Sequence, residues 1–136
     1  MFKKIDHVEL VTERLEETVA FYTEVLGFTV RLRERIPRSS LGVPMDIAYL
    51  SLGETGVEVM HYDGAPVKPA PEKEHAGYRL LALEVDDMER ALALLAEKGH
   101  PATWGPRTGP RYVRAEIHDP NGNAIELRQW LASGTS

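Results

Sequence analysis

Short runs of alternating polar and apolar residues dominate this chain and predict β-strands. The first run places His7 and Glu9 on one face, with Val8 and Leu10 on the other. Helical spacing of apolar residues then predicts a helix that Gly27 ends, with Thr12 as its N-cap. The pattern in this part of the chain predicts strands at about 5–11, 28–34, 46–52 and 56–62, and a helix at about 15–26.

The same order of elements recurs in the second half. The pattern there predicts strands at about 79–85, 101–104, 111–118 and 124–130, a helix at about 87–98, a turn at 119–123, and a frayed tail from Ala132. We therefore expect a single domain, 1–136, with two βαβββ modules at about 3–62 and 78–130 and a connector at about 63–77. The expected fold class is α+β, with two tandem modules that form a cupped mixed sheet.

Composition excludes several classes of function. The 136 residues suit one compact domain, and the net charge of -5 argues against a general nucleic-acid binder. Without cysteine, the chain has no disulfide and no zinc–thiolate site. No apolar run approaches the roughly 20 residues of a membrane span, and no signal region is visible, so we expect a cytoplasmic protein without a membrane partner.

The strand alternation collects ionisable side chains on one face of each predicted sheet. His7, Glu58 and Glu126 lie there at positions related by the repeat. One imidazole and two carboxylates suit a divalent ion such as Zn, Ni, Co, Mn or Fe. The repeat counterpart of His7 is Leu80, which cannot coordinate a metal. The alternative interpretation is a set of ion-paired residues on a solvated sheet face.

Four segments carry a resemblance to a known family. They are Asp6-His7-Val8, the Phe-Tyr-Thr-Glu-Val-Leu-Gly-Phe run at 21–28, the Leu-Glu-Val-Asp-Asp run at 83–87, and the His-Asp-Pro-Asn-Gly-Asn-Ala-Ile-Glu-Leu run at 118–127. Over roughly 3–130 the chain resembles the vicinal oxygen chelate superfamily. That superfamily includes glyoxalase I, methylmalonyl-CoA epimerase, extradiol dioxygenases, and fosfomycin and bleomycin resistance proteins.

The resemblance implies a metal site. In metal-dependent members each module supplies one ligand from its first strand and one from its last, which carries ligand roles onto His7, Glu58 and Glu126. The position of the usual second histidine falls on Leu80, and His75 in the connector is an alternative ligand that the strand pattern does not place. The resemblance also implies a homodimer, and it leaves open whether His7 and Glu126 meet within one chain or across two.

The resemblance further implies a function on small molecules. We expect a glyoxalase-like, metal-dependent lyase or isomerase that acts on a small oxygenated metabolite, with Glu58 or Glu126 as the group that transfers a proton. The alternative is a metal-free binding or resistance protein. An extradiol dioxygenase is less favoured, because those enzymes use two histidines and one carboxylate.

Three further side chains are candidates for contact with the substrate. Arg114 and Arg128 fall on the ionisable face and suit a carboxylate or phosphate group. Their alternative role is pairing with Glu116, Glu84 or Glu9. Tyr49 lies on the corresponding face of the first module, where it is a candidate for an apolar wall.

Overall fold

A computed structural model describes residues 1–132, and the predicted fraying beyond Ala132 lies outside them. The strands are β1 (His7–Val11), β2 (Thr29–Ile36), β3 (Met45–Leu52), β4 (Thr55–Tyr62), β5 (Leu81–Glu84), β6 (Trp104–Thr108), β7 (Tyr112–His118) and β8 (Ala124–Trp130). The helices are α1 (Leu15–Ala20), which a π-helical segment (Phe21–Val25) prolongs, and α2 (Met88–Glu97). The predicted α+β class with a tandem repeated module is confirmed.

The first module forms a four-stranded mixed sheet in the order β1-β4-β3-β2. Strand β1 runs parallel to β4, while β3 is antiparallel to both of its neighbours. Strand alternation buries one face almost completely, with Ala48, Leu50, Val57 and Val59 at most 2% exposed. Val8 shares this apolar face but remains 37% exposed, because β1 is an edge strand. The opposite face, which carries Glu58, also holds a buried apolar cluster of Met45, Ile47 and Met60.

The first helix begins at Leu15 as predicted, but its N-cap residue and its C-terminal part differ from the prediction. The sequence predicts Thr12 as the N-cap, but Arg14 occupies that position, and the Thr12 hydroxyl instead accepts the Arg14 backbone N–H at 2.8 Å. Towards the C-terminus the α-helix widens into a π-helical segment. There the Thr23 hydroxyl donates to the Val19 carbonyl at 2.8 Å, a side-chain bond that competes with the backbone ladder.

The second module repeats this topology with the order β5-β8-β7-β6, and β5 runs parallel to β8. Asp87 caps α2, since its side chain accepts the Arg90 backbone N–H at 3.1 Å. The predicted strand at 101–104 is wrong in position, because β6 spans Trp104–Thr108. Pro106 lies inside this strand, and a proline in the sequence argues against a strand. The structure accommodates it because β6 is an edge strand with a shifted register, where a residue without an N–H is tolerated.

The chain divides into two compact units, one for each sheet, and the division falls between Pro69 and Ala70. That point lies inside the connector predicted at 63–77. No helix within residues 1–132 is both long and apolar enough to cross a membrane.

Candidate metal and substrate site

Parallel pairing of β1 with β4 places His7 beside a glycine. His7 is opposite Gly56, and a Cβ at Gly56 would lie 3.2 Å from the His7 Cβ and 3.0 Å from the Asp6 carbonyl oxygen. Two residues further along, Glu9 is opposite Glu58 in the same register. The missing side chain at Gly56 thus lets the two strands approach closely where His7 begins the first strand.

His7, Glu9 and Glu58 form a compact cluster on the polar face of the first sheet. The His7 Nε2 lies 2.8 Å from a Glu58 carboxylate oxygen and 3.1 Å from a Glu9 carboxylate oxygen. The other ring nitrogen, Nδ1, lies 2.9 Å from the Asp6 carboxylate. The Glu58 side chain is 13% exposed and that of His7 is 30% exposed. The cluster therefore joins a nearly buried carboxylate to a solvent-accessible imidazole.

The surroundings change the proton affinities of this cluster. The hydrogen bonds that the His7 ring donates to Asp6 and then to Glu9 raise the pKa of His7, since both carboxylates favour the imidazolium. The same contact lowers the pKa of Asp6. Burial raises the pKa of Glu58, an effect that the positive charge of His7 opposes and the nearby Glu9 reinforces. Glu58 is thus a carboxylate that holds its proton more tightly than an exposed one.

The donor atoms of this cluster fit a divalent metal ion. One nitrogen of His7 and one oxygen each of Glu9 and Glu58 lie within 4.8 Å of one another. An imidazole with two carboxylates is a donor set for a borderline or hard divalent ion. Glu9 was not a predicted ligand, although two features pointed to it: it is two residues from His7 on the same strand face, and it is opposite Glu58.

Glu126, the third predicted ligand, lies on β8 in the second unit and is 5% exposed. Arg114 contacts one of its oxygens through Nε at 3.0 Å and through Nη2 at 2.9 Å, and Arg128 contacts the other through Nε at 2.9 Å. Both predicted substrate-binding arginines therefore neutralise a buried carboxylate. Arg114 also lies 3.4 Å from Glu116, so the alternative of pairing with Glu116 is confirmed for Arg114.

The remaining predicted positions have distinct surroundings. Tyr49 is opposite Glu58 on β3, and its hydroxyl donates to Glu34 at 2.9 Å, a bond that raises the pKa of Tyr49. Leu80 immediately precedes β5 and is partly buried, whereas His75 is exposed. The Nδ1 of His75 lies 3.3 Å from the Lys73 carbonyl oxygen.

A second histidine–carboxylate group lies elsewhere in the first unit. It consists of Asp46, His61 and Asp63, whose potential ligand atoms also lie within 4.8 Å of one another. Arg35 binds both carboxylates, at 2.8 Å for Asp46 and 2.7 Å for Asp63, and holds the pKa of Asp63 below its usual value. Because a guanidinium already neutralises both acids, this group is an ion-pair network, and the His7 cluster is the better candidate for a metal site.

Comparison with known proteins identifies an uncharacterised protein and an enzyme among the relatives of this chain. The chain is 29% identical to the uncharacterised Bacillus subtilis protein YwkD over 133 residues, which cover 93% of this chain and 97% of YwkD. It is 30% identical to human mitochondrial methylmalonyl-CoA epimerase over 98 residues, which are 70% of this chain and 53% of the human protein.

Among solved structures, a glyoxalase family protein from Bacillus cereus superposes with a TM-score of 0.81. The superposition covers 97% of both chains at 21% identity, which demonstrates a common fold. A family model, the Glyoxalase/Bleomycin resistance protein/Dioxygenase superfamily, matches residues 4–127. The chain belongs to this superfamily, as its tandem βαβββ modules and its sequence both indicate.

Proposed function

We propose that this protein is a metal-dependent isomerase or lyase that moves a proton on a small oxygenated substrate. The observation that carries the proposal is the 2.8 Å contact between the His7 imidazole and the Glu58 carboxylate, with Glu9 3.1 Å from the same nitrogen. His7, Glu9 and Glu58 would hold a divalent ion of the Zn, Ni, Co, Mn or Fe type. When bound, such an ion acts as a Lewis acid and stabilises negative charge that develops on a substrate oxygen.

Glu58 is the proposed carrier of the proton. Its burial raises its pKa, and a carboxylic acid with a raised pKa accepts and returns a proton more effectively near neutral pH. Glu126 is retained as a second candidate for this role and as a further ligand. Arginine N–H groups bind both oxygens of Glu126. To coordinate an ion, Glu126 would have to replace at least one of these hydrogen bonds with a bond to the metal.

Tyr49 is a proposed substrate contact beside the cluster. It is opposite Glu58, and its hydroxyl stays protonated because Glu34 accepts its hydrogen bond. The ring thus combines an apolar face with a polar tip next to the candidate carboxylate. Arg114 and Arg128 are proposed to contact an anionic part of the substrate.

The sequence similarity to human methylmalonyl-CoA epimerase supports the choice of proton transfer as the reaction class. The similarity spans 70% of this chain at 30% identity. We therefore propose epimerisation of methylmalonyl-CoA as the first reaction to assay, followed by other small 2-oxo and thioester compounds. The assay follows exchange of substrate hydrogen for solvent deuterium, since this exchange reports proton removal whatever the final product.

The metal requirement has a direct test. Protein stripped of metal is loaded separately with each of the five ions, and bound metal is measured after desalting by plasma mass spectrometry. We expect about one ion per chain, lost in His7→Ala and Glu58→Gln but kept in His118→Ala, which changes an exposed histidine. Absence of stoichiometric metal under every loading condition, or equal loss in His118→Ala, would refute the proposal.

Two observations favour a metal-free binding protein as the second candidate function. Leu80 occupies the position of an expected ligand, and Glu126 is already neutralised by two arginines. A binding protein would retain ligand affinity after metal removal and in Glu58→Gln. Equal affinity of metal-loaded and metal-free protein for a ligand, with no deuterium exchange, would favour this second candidate.

We also propose a homodimer, which the family resemblance implies. Sedimentation velocity on the full chain distinguishes a species of twice the chain mass from a monomer of 15.2 kDa. If the site draws residues from two chains, dilution to the monomer would lower metal affinity. A monomer at all concentrations that still binds one ion per chain would instead place the complete site in one chain.

A further inference from the structure

Three arginines occupy neighbouring positions across the second sheet. Arg107 on β6 is opposite Arg114 on β7, and Arg114 is opposite Arg128 on β8. Like charges at directly opposite positions destabilise a sheet. A row of three guanidinium groups therefore needs anionic groups nearby to compensate for the repulsion.

The carboxylates of the second unit compensate this row only in part. Glu126 binds Arg114 and Arg128, while Glu116 lies 3.4 Å from both Arg114 and Arg79. Within residues 1–132, Arg107 has no carboxylate within ion-pair distance, whereas Arg128 donates from Nε to Glu126 at 2.9 Å. The guanidinium of Arg107, an exposed residue of β6, thus remains available to an external anion.

Aromatic rings hold these guanidinium groups in place. The Arg107 and Arg114 guanidinium carbons lie 5.3 and 4.7 Å from the centroid of the Trp104 ring. The Arg128 guanidinium carbon lies 4.2 Å from the Tyr112 centroid and 5.1 Å from the Trp130 centroid. Cation–π contacts at these distances restrict the arginine rotamers. They lower the entropic cost of ordering the side chains around a ligand.

We propose that Arg107, held against Trp104 beside Arg114, binds a small oxyanion, namely a carboxylate or phosphate group. Guanidinium groups present paired N–H donors that match the oxygens of both. The proposal rests on the proposed contact of Arg114 with an anionic part of the substrate and deepens it by adding Arg107, and the site needs no metal ion. A metal-free protein can therefore bind the anion even if the proposed reaction is wrong.

The two tryptophans of the chain, Trp104 and Trp130, both belong to this cluster, so intrinsic fluorescence reports on the site directly. The experiment titrates metal-free full-length protein with inorganic phosphate, with acetate and with malonate, at ionic strength held constant by sodium chloride. We expect a saturable change in tryptophan emission. Tighter binding of phosphate would identify a phosphate-bearing ligand, and tighter binding of acetate or malonate a carboxylate-bearing one.

The decisive variant is Arg107→Gln, because Arg107 supports no buried carboxylate and its loss leaves Glu126 paired. We expect its anion affinity to be at least about tenfold weaker than that of the wild type. The matched control is Arg90→Gln, which removes the same charge from an exposed position on α2. Equal affinities of the two variants, or the absence of saturable binding with all three anions, would overturn the proposal.

A second measurement does not depend on fluorescence. An anion that binds the folded protein raises its thermal midpoint, and at a given concentration the rise is larger for tighter binding. Phosphate or malonate should therefore raise the midpoint more in Arg90→Gln than in Arg107→Gln. An equal rise in both variants would indicate a general salt effect and would also contradict the site.

Discussion

The His7 Nε2 and a Glu58 carboxylate oxygen lie 2.8 Å apart, although 51 positions separate the two residues in the chain. The parallel pairing of β1 with β4 creates this contact, and Glu9 lies within 3.1 Å of the same nitrogen. The proposed metal site is thus assembled from two neighbouring strands of one module.

Metal affinity should depend on the protonation of His7. A metal ion binds only the neutral imidazole, and the hydrogen bond that His7 donates to Asp6 raises the His7 pKa above its ordinary value of 6.5. Affinity should therefore decline as pH falls through a midpoint above 6.5. Removing Asp6 in Asp6→Asn lowers the His7 pKa, so the midpoint moves to lower pH.

Isothermal titration with Zn or Ni over about three pH units, from roughly pH 5.5 to 8.5, brackets the imidazole pKa and measures this shift. Asp86→Asn, which removes an exposed carboxylate of the second unit, is the control and should leave the midpoint unchanged. Identical midpoints for Asp6→Asn and Asp86→Asn would contradict the assignment of His7 as a ligand. Because Asp6 is exposed, the shift should also shrink as salt is added.

Glu58→Gln should not destabilise the metal-free protein at neutral pH. The folded state raises the Glu58 pKa, so it binds this proton more tightly than the unfolded state does. The contribution of Glu58 to stability is then most favourable below the unfolded pKa of about 4.3 and is lost as pH rises through the folded pKa. At pH 7 the charged carboxylate opposes folding, and glutamine removes this penalty.

Differential scanning calorimetry in chelator tests this expectation. The midpoint of Glu58→Gln should equal or exceed that of the wild type at pH 7 and lose this advantage near pH 4, below the ordinary Glu value of 4.5. Added metal should reverse the order, since only the wild type gains stability from binding. A clear loss of stability in the variant at pH 7 would show that the ion pair with His7 stabilises the fold by more than burial of the charged Glu58 carboxylate costs.

Gly56→Ala should disrupt both the first sheet and the metal site. The new Cβ would lie 3.0 Å from the Asp6 carbonyl oxygen, so β1 would have to move away from β4. Overpacking of this kind costs about 1–3 kcal/mol. Gly109→Ala is the matched control, because its Cβ would meet only the Tyr112 carbonyl oxygen, at an ordinary 3.7 Å. Urea unfolding and metal titration of both variants test this, and equal results would argue against the close approach.

Glu126→Gln should destabilise the second unit. The 7% exposed side chain of Glu126 compensates Arg114 and Arg128, which are themselves only 28% and 27% exposed. Removing one partner of a buried ion pair costs about 3–5 kcal/mol, and the partial exposure of the arginines reduces the expected loss to about 2 kcal/mol. Glu84→Gln, an exposed carboxylate opposite Arg128, should cost less than about 0.5 kcal/mol.

Urea unfolding of both variants measures the difference. If Glu126→Gln were as stable as Glu84→Gln, water would stabilise the charges of Arg114 and Arg128 sufficiently without Glu126. The role of Glu126 would then be sought in metal or substrate binding rather than in the stability of the sheet.

Local sequence patterns were sufficient to predict most of the elements. Strand alternation in Ala48, Leu50, Val57 and Val59 identified a face that the structure buries, because side-chain direction follows from the period of the strand. The repeat predicted two matching modules for the same reason. The patterns placed β6 wrongly, because Pro106 and a shifted register disguise an edge strand, and they named Thr12 instead of Arg14 as the N-cap of α1.

The sequence by itself determined which residues share a sheet face, and it therefore selected His7, Glu58, Glu126, Arg114 and Arg128 as candidates. Only the tertiary structure decided their partners. Strand register, which depends on contacts distant in sequence, brought Glu58 to His7 and Glu9 and aligned Arg107 with Arg114. Burial, which depends on the whole fold, paired Glu126 with two arginines and raised the pKa of Glu58.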